Sequence, residues 1–133
     1  MRVLALDYGS ARCGCALSDP TGTLATPIEP IERPATRKGF ARVVELVRDR
    51  GVDRVVVGLP LGLSGADTDQ TREARDWAAR LDAAVPVPVE LYDERFTTAI
   101  AARAVGSRTS EDSRAAAVLL EDWLARHAHG VAD

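Results

Sequence analysis

Arg2-Val3-Leu4-Ala5-Leu6-Asp7-Tyr8-Gly9-Ser10 is the stretch whose reading decides the fold. Arg2 to Leu6 is a short, mostly apolar run with strand character, stopped by the polar, glycine-containing segment Asp7 to Ser10. A second run, Gly14 to Leu17, ends at Ser18-Asp19-Pro20, and Thr23 to Ile28 supplies a third after the Pro20-Thr21-Gly22 turn. Runs this close leave no room for a crossover, so the chain is expected to open as an antiparallel meander.

Further along, the period changes. Phe40, Val43, Val44 and Val47 recur at helical spacing with Arg42, Glu45, Arg48 and Asp49 facing elsewhere, and Gly51 closes the helix. Arg54 to Val57 is a β-branched run ending in Gly58-Leu59-Pro60. Leu61 to Gly65 reads as a loop, and Asp67 with Gln70 resembles a capping box opening a helix to about Leu81. Together, Leu61 to Gly65 and Asp67 to Gln70 are a candidate mobile flap, or simply a loop. Pro86 to Tyr92 is a further strand, Thr97 to Val105 a short helix, and Ser110 to about His127 the last helix. The order βββαβαβαα predicts an α/β fold: a mixed sheet, antiparallel in its first three strands, with helices on its faces. No repeat, linker or low-complexity tract interrupts it.

At 133 residues and 46% apolar content the chain is expected to form one domain, residues 1–133, with a real core. No basic segment followed by an apolar run opens it, and no apolar stretch approaches the roughly 18 residues of a membrane span. A soluble, cytoplasmic protein is the expectation. Cys13 and Cys15 flank Gly14 on one strand face, poorly placed to bond each other, and suit small apolar filling; an intermolecular bridge stays open. The net charge of −3 argues mildly against a nonspecific polyanion binder. The basic residues are nearly all arginine, with Lys38 the one lysine, and arginine suits bidentate phosphate contacts. His127 and His129 have no cysteine partners at finger spacing and are read as tail residues.

Three acids stand where apolar residues belong. Asp112 falls on the stripe of Ala116, Leu119, Leu120 and Trp123, at i, i+4, i+7, i+8 and i+11. Asp7 ends an apolar strand, before a Gly9 that allows close backbone approach or sharp redirection, and Glu94 follows the strand ending at Tyr92. Each has a plain alternative: a helix cap for Asp112, a turn former for Asp7, and an exposed acid paired to Arg95 for Glu94. A single metal site accounts for all three, because clustered carboxylates repel by several kcal/mol unless a hard cation such as Mg²⁺ neutralises them. In phosphodiester hydrolysis by two metals, such acids hold ions about 3.5–4 Å apart that activate a water and stabilise the leaving oxygen.

Four ordered motifs then carry a resemblance: Asp7-Tyr8-Gly9-Ser10-Ala11-Arg12-Cys13-Gly14; Val56-Val57-Gly58-Leu59-Pro60-Leu61 with Gly65; Asp93-Glu94-Arg95-Phe96-Thr97-Thr98; and Glu111-Asp112-Ser113 leading into Ala115-Ala116 and Leu119-Leu120. From about Val3 to Trp123 the chain resembles the YqgF family, also called RuvX, of Holliday junction resolvase-like proteins and pre-ribosomal RNA nucleases. The resemblance implies an RNase H-like fold. It implies a catalytic, metal-binding triad of Asp7 on the first strand, Glu94 just after the strand beside it, and Asp112 on the last helix, using Mg²⁺ or Mn²⁺. Arg12 and Arg95 match motif positions for phosphate contact, or ion pairs with neighbouring acids. Gly9, Thr97 and Thr98 are supporting residues, the threonines orienting Glu94 or starting the next helix.

The implied activity is endonucleolytic processing of the 5′ end of precursor 16S ribosomal RNA, with four-way DNA junctions as the alternative substrate. The implied partners are nucleic acid and the pre-ribosomal particle, for a monomer or a homodimer. The chain departs from the family where a longer basic loop is common: it has only Gly106-Ser107-Arg108-Thr109-Ser110, which removes part of the expected contact surface. Two other readings stand beside the nuclease. Asp7 to Ser10 followed by Gly14 also suits the phosphate hairpin of an actin-like ATPase, which needs a second lobe, and a catalytically silent RNA- or ribosome-binding module would not need all three acids.

Overall fold

The computed structural model describes residues 1–60, 68–93 and 111–128. Five strands form one sheet: β1 Val3–Asp7, β2 Arg12–Ser18, β3 Ala25–Glu32, β4 Arg54–Leu59 and β5 Val89–Asp93. Three helices complete the described fold: α1 Arg37–Asp49, α2 Asp69–Ala84 and α3 Glu111–Ala128. In space the strands run β3-β2-β1-β4-β5, with β1–β2 and β2–β3 antiparallel and β1–β4 and β4–β5 parallel. The expected meander and mixed sheet are present. One detail differs: β5, the strand leading to Glu94, is separated from β1 by β4. The chain reaches β4 first, and its Val55-Val56-Val57 run, buried on both faces, takes the central place beside β1.

Strand alternation divides the core. Leu4, Leu6, Val55 and Val57 face α1 and α2, where they meet Val43, Val47, Trp77 and Leu81. Val3, Ala5 and Val56 face α3, where they meet Ala116, Leu119, Leu120 and Trp123. The apolar stripe predicted for the last helix is therefore buried as expected. Cys13 and Cys15 are both free and fully buried in the first cluster, as small apolar fillers.

Several boundaries move for identifiable reasons. β3 runs on to Glu32 through Pro27 and Pro30, because it is an edge strand and a missing N–H costs little there. Pro30 also falls in a bulge where the register jumps from Cys13↔Ile31 to Cys15↔Ile28. The cap of α2 is Thr68 with Thr71, not Asp67 with Gln70; Asp67 lies outside the described residues. Thr68 Oγ1 accepts from Thr71 N at 3.1 Å, and Thr71 Oγ1 accepts from Thr68 N at 3.1 Å. The buried Thr71 hydroxyl also donates to Pro60 O at 2.6 Å, tying the start of α2 to the end of β4. The loop Leu61–Gly65 and the expected helix Thr97–Val105 lie outside the described residues. Among the described residues no helix is long and apolar enough to cross a membrane.

Candidate active site

The site is built from the sheet outward. β1 is central and parallel to β4 and β5, so the C-terminal ends of all three strands emerge on one edge of the sheet. Asp7 is the last residue of β1, partly exposed after four fully buried neighbours, and alternation gives it the face of Val3 and Ala5, the face covered by α3. At Gly9 the chain turns so tightly that a Cβ would stand 2.7 Å from Arg12 O, which explains the glycine by redirection of the backbone. Asp7, Tyr8, Gly9, Ser10, Pro60, Gln70 and Glu73 line a cleft of about 220 Å³ here.

The start of α3 is fixed to the same place by a hydroxyl. Ser113, fully buried, donates to Ile28 O at 2.5 Å and accepts from Cys15 N at 3.4 Å. Cys15 and Ile28 are register partners at the β2–β3 bulge, so the serine is inserted into the ladder where the bulge opens it. The residue before Cys15, Gly14, is the register partner of Asp7. One residue before Ser113 is Asp112, in the first turn of α3. The bulge thus brings the backbone of Asp112 to the strand neighbouring Asp7, although the two are far apart in sequence. In the sequence Ser113 is visible only as part of a motif; its role needs the bulge, which nothing in the local pattern announces.

Glu94 lies outside the described residues, as do Arg95, Thr97 and Thr98. The position from which Glu94 departs is described: Asp93, the last residue of β5, pairs with Leu59, next to the cleft-lining Pro60. Two strand spacings, roughly 10 Å, separate the ends of β1 and β5, a gap that the side chains of an Asp and a Glu can close around one ion. Arg12 is exposed at the start of β2, beyond the turn that follows Asp7. Among the described residues no cluster of three acids, histidines or cysteines is assembled.

Sequence reasoning missed the other wall of the cleft. Tyr8 donates a 2.7 Å hydrogen bond to Glu73 of α2, and its ring packs against Trp77 at a tilt of 35°, with centroids 4.8 Å apart. Burial, then the hydrogen bond and charge of Glu73, push the Tyr8 phenol well above its usual range, so it acts as a neutral donor. The signal available was an aromatic residue directly after the strand-ending Asp7. His127 is not a loose tail residue: it stacks on Trp123 at 3.9 Å, with Nδ1 2.8 Å from Trp123 O, in the last turn of α3. His129 lies outside the described residues. A larger hollow of about 740 Å³ between β3 and α1 mixes Arg42 and Arg50 with Glu29, Glu45 and Asp49, and it does not include Asp7.

The family model described as RuvX, Holliday junction resolvase, matches residues 1–126. The chain belongs to the RuvX family. A relative from Maridesulfovibrio salexigens, named "Putative pre-16S rRNA nuclease", is 37% identical over 95% of this chain and 99% of its own length. A relative of the same name from Mycobacteroides abscessus is 42% identical over 92% of this chain and 80% of its own length. Among solved structures, Thermus thermophilus RuvC aligns over 98% of this RuvX chain and 97% of its own, with a TM-score of 0.63 at 17% identity. The fowlpox virus Holliday junction resolvase aligns over 95% of this chain and 99% of its own, with a TM-score of 0.59 at 11% identity. At those identities the likeness establishes the fold, an RNase H-like α/β sheet, for this RuvX chain.

Proposed function

We propose that this RuvX chain is a divalent-metal-dependent endonuclease that hydrolyses phosphodiesters in structured nucleic acid, with precursor 16S ribosomal RNA as its substrate. The observation that carries the reading is Asp7 at the end of the central strand, facing the helix whose first turn Ser113 fixes at the neighbouring bulge. The names of the full-length relatives support the RNA substrate. Asp7, Glu94 and Asp112 would hold the metal, an all-oxygen donor set that suits Mg²⁺ or Mn²⁺. When bound, the cation supplies water activation and stabilisation of the leaving oxygen. Arg12 and Arg95 contact the phosphate, Thr97 and Thr98 orient Glu94, and Tyr8, held neutral, donates to Glu73 and stiffens the opposite wall of the cleft.

The second reading, resolution of four-way DNA junctions, is favoured by the description of the family and by the RuvC-like fold. One assay separates them: cleavage of precursor 16S RNA, a four-way DNA junction and plain duplex, each with and without Mg²⁺ or Mn²⁺. We expect cation-dependent cleavage of the RNA. Asp7→Asn, which removes one ligand without changing volume, is expected to abolish cleavage while leaving the unfolding transition in place; a purified variant that still cuts would refute the assignment.

A further inference from the structure

A basic corner lies at the same edge of the sheet as the cleft, where β3 ends and α1 begins. Arg33, Arg37, Lys38 and Arg42 are all exposed, and none forms an ion pair among the described residues. Three of them line a hollow of about 380 Å³ with Glu32 as its sole acid. In a chain of net charge −3, basic side chains gathered without partners call for a cause.

Helix electrostatics makes the placement more telling. Acids normally occupy the first turn of a helix, where they offset the positive end of the macrodipole, and α2 begins in that way with Asp69. The first turn of α1 instead carries Arg37 and Lys38 and no acid. Those charges weaken the helix and reinforce its positive end, an arrangement suited to an external anion rather than to folding.

The corner is also joined rigidly to the cleft. Arg33 N donates to Ala11 O at 2.9 Å, which locks the β3–α1 connection onto the β1–β2 turn that carries Gly9 and Ser10. Arg33 holds a positive φ of 46°, and its carbonyl lies so close to Gly39 that a Cβ there would be 2.0 Å away. From behind, Trp77 Nε1 donates to Pro34 O at 3.0 Å and Arg80 donates to Ala35 O at 2.9 Å. Leading away from Asp7, the order is therefore Arg12, Arg33, then Arg37, Lys38 and Arg42, across two strand spacings and the first turns of a helix.

Resting on the nuclease reading above, we propose that this corner is the track for the sugar–phosphate backbone of the substrate, leading the strand from the cleft over β2 and β3 onto α1. Recognition is of phosphate charge, common to RNA and DNA, and carries no base sequence.

The test is the salt dependence of binding by the full chain, in EDTA, to a fluorescent precursor-16S hairpin and to a four-way DNA junction. Removing one basic side chain that neutralises a phosphate lowers the slope of log K against log salt by about 0.7 for single strands and about 0.9 for duplex. The triple variant Arg37→Ala, Lys38→Ala, Arg42→Ala is expected to lower the slope by about 2–3 and to weaken binding at least tenfold at low salt. The control Arg48→Ala, Arg50→Ala, at the far end of α1, is expected to leave both unchanged. A triple variant with the wild-type slope, or a control that lowers the slope equally, overturns the track while Asp7-dependent cleavage by the wild type still stands. A wild-type protein that binds neither probe overturns the track and the nuclease reading together. A greater loss on one probe than the other assigns the track to that nucleic acid.

Discussion

The two faces of the sheet bury side chains of different size, and the difference separates stability from site placement. Toward α1 and α2 the strands present Leu4, Leu6, Leu17, Val55 and Val57 to Val43, Val47, Leu81 and the Trp77 ring. Toward α3 they present Ala5 and Ala16 beside Val3 and Val56, and the helix answers with Ala116 and Ala117 among its larger residues. Small residues on both sides let α3 approach closely, as its first turn must if Ser113 is to reach into the β2–β3 ladder. The bulky face holds the molecule together; the alanine-rich face carries Asp7 and the helix whose first turn contains Asp112.

That division can be broken by substitution, and the largest effect on stability is expected on the bulky face. Leu81, fully buried, loses most of its side chain in Leu81→Ala, at a cost of about 2–5 kcal/mol for burial and cavity together. Denaturant unfolding should report that loss, while cleavage per folded molecule stays near the wild-type value. The next variant, Ala116→Leu, overfills the other face at a cost of about 1–3 kcal/mol, the smaller of the two. Its effect on kcat should nonetheless be the greater, since it lifts the start of α3 away from Asp7. If Ala116→Leu keeps the wild-type kcat, or Leu81→Ala loses as much activity as stability, the two faces do not divide the work.

The same contrast explains what could be read from sequence. The meander, the central β-branched strand and the buried stripe of α3 were legible because hydrophobic periodicity is local, and Leu4 or Val56 carries its instruction in its own position. Asp7 and Asp112 stand out in the sequence because each breaks such a pattern. The β4 interposition was not, since which parallel strand lies beside β1 is decided by competition for the most buried place. Ser113, Tyr8 and Glu73 stayed hidden for another reason: a hydroxyl in a bulge, or a phenol meeting an acid far along the chain, is a property of two elements once packed. The cap of α2 slipped by one residue because Thr71 is chosen by the carbonyl of Pro60, not by its neighbours in sequence.

The smallest expected effects sharpen the comparison most cleanly, because the chain has two tyrosines and each reports one face. Tyr8 donates to Glu73 on the α2 side, and Tyr92 donates to Asp122 on the α3 side, where Arg126 also binds that carboxylate at 3.0 Å. Burial first, then the acid partner, raises both phenols, Tyr92 to about 12 and Tyr8 beyond. A phenol whose native pKa is raised contributes stability that is complete below its unfolded value near 10 and disappears as pH climbs through the native value. Phenolate absorbance of the native protein should therefore stay flat around pH 10 and rise first near 12, and Tyr92→Phe should cost only roughly 0.5–1.5 kcal/mol at neutral pH. Glu73→Gln should lower the Tyr8 midpoint without bringing it to the ordinary range, because burial persists, and should leave Tyr92 where it was. Asp122→Asn should do the reverse. A native phenolate signal near pH 10 would remove the basis for treating either phenol as a fixed donor, and a variant on one face that shifted the tyrosine on the other would show the sheet transmitting what its two sides are argued to keep apart.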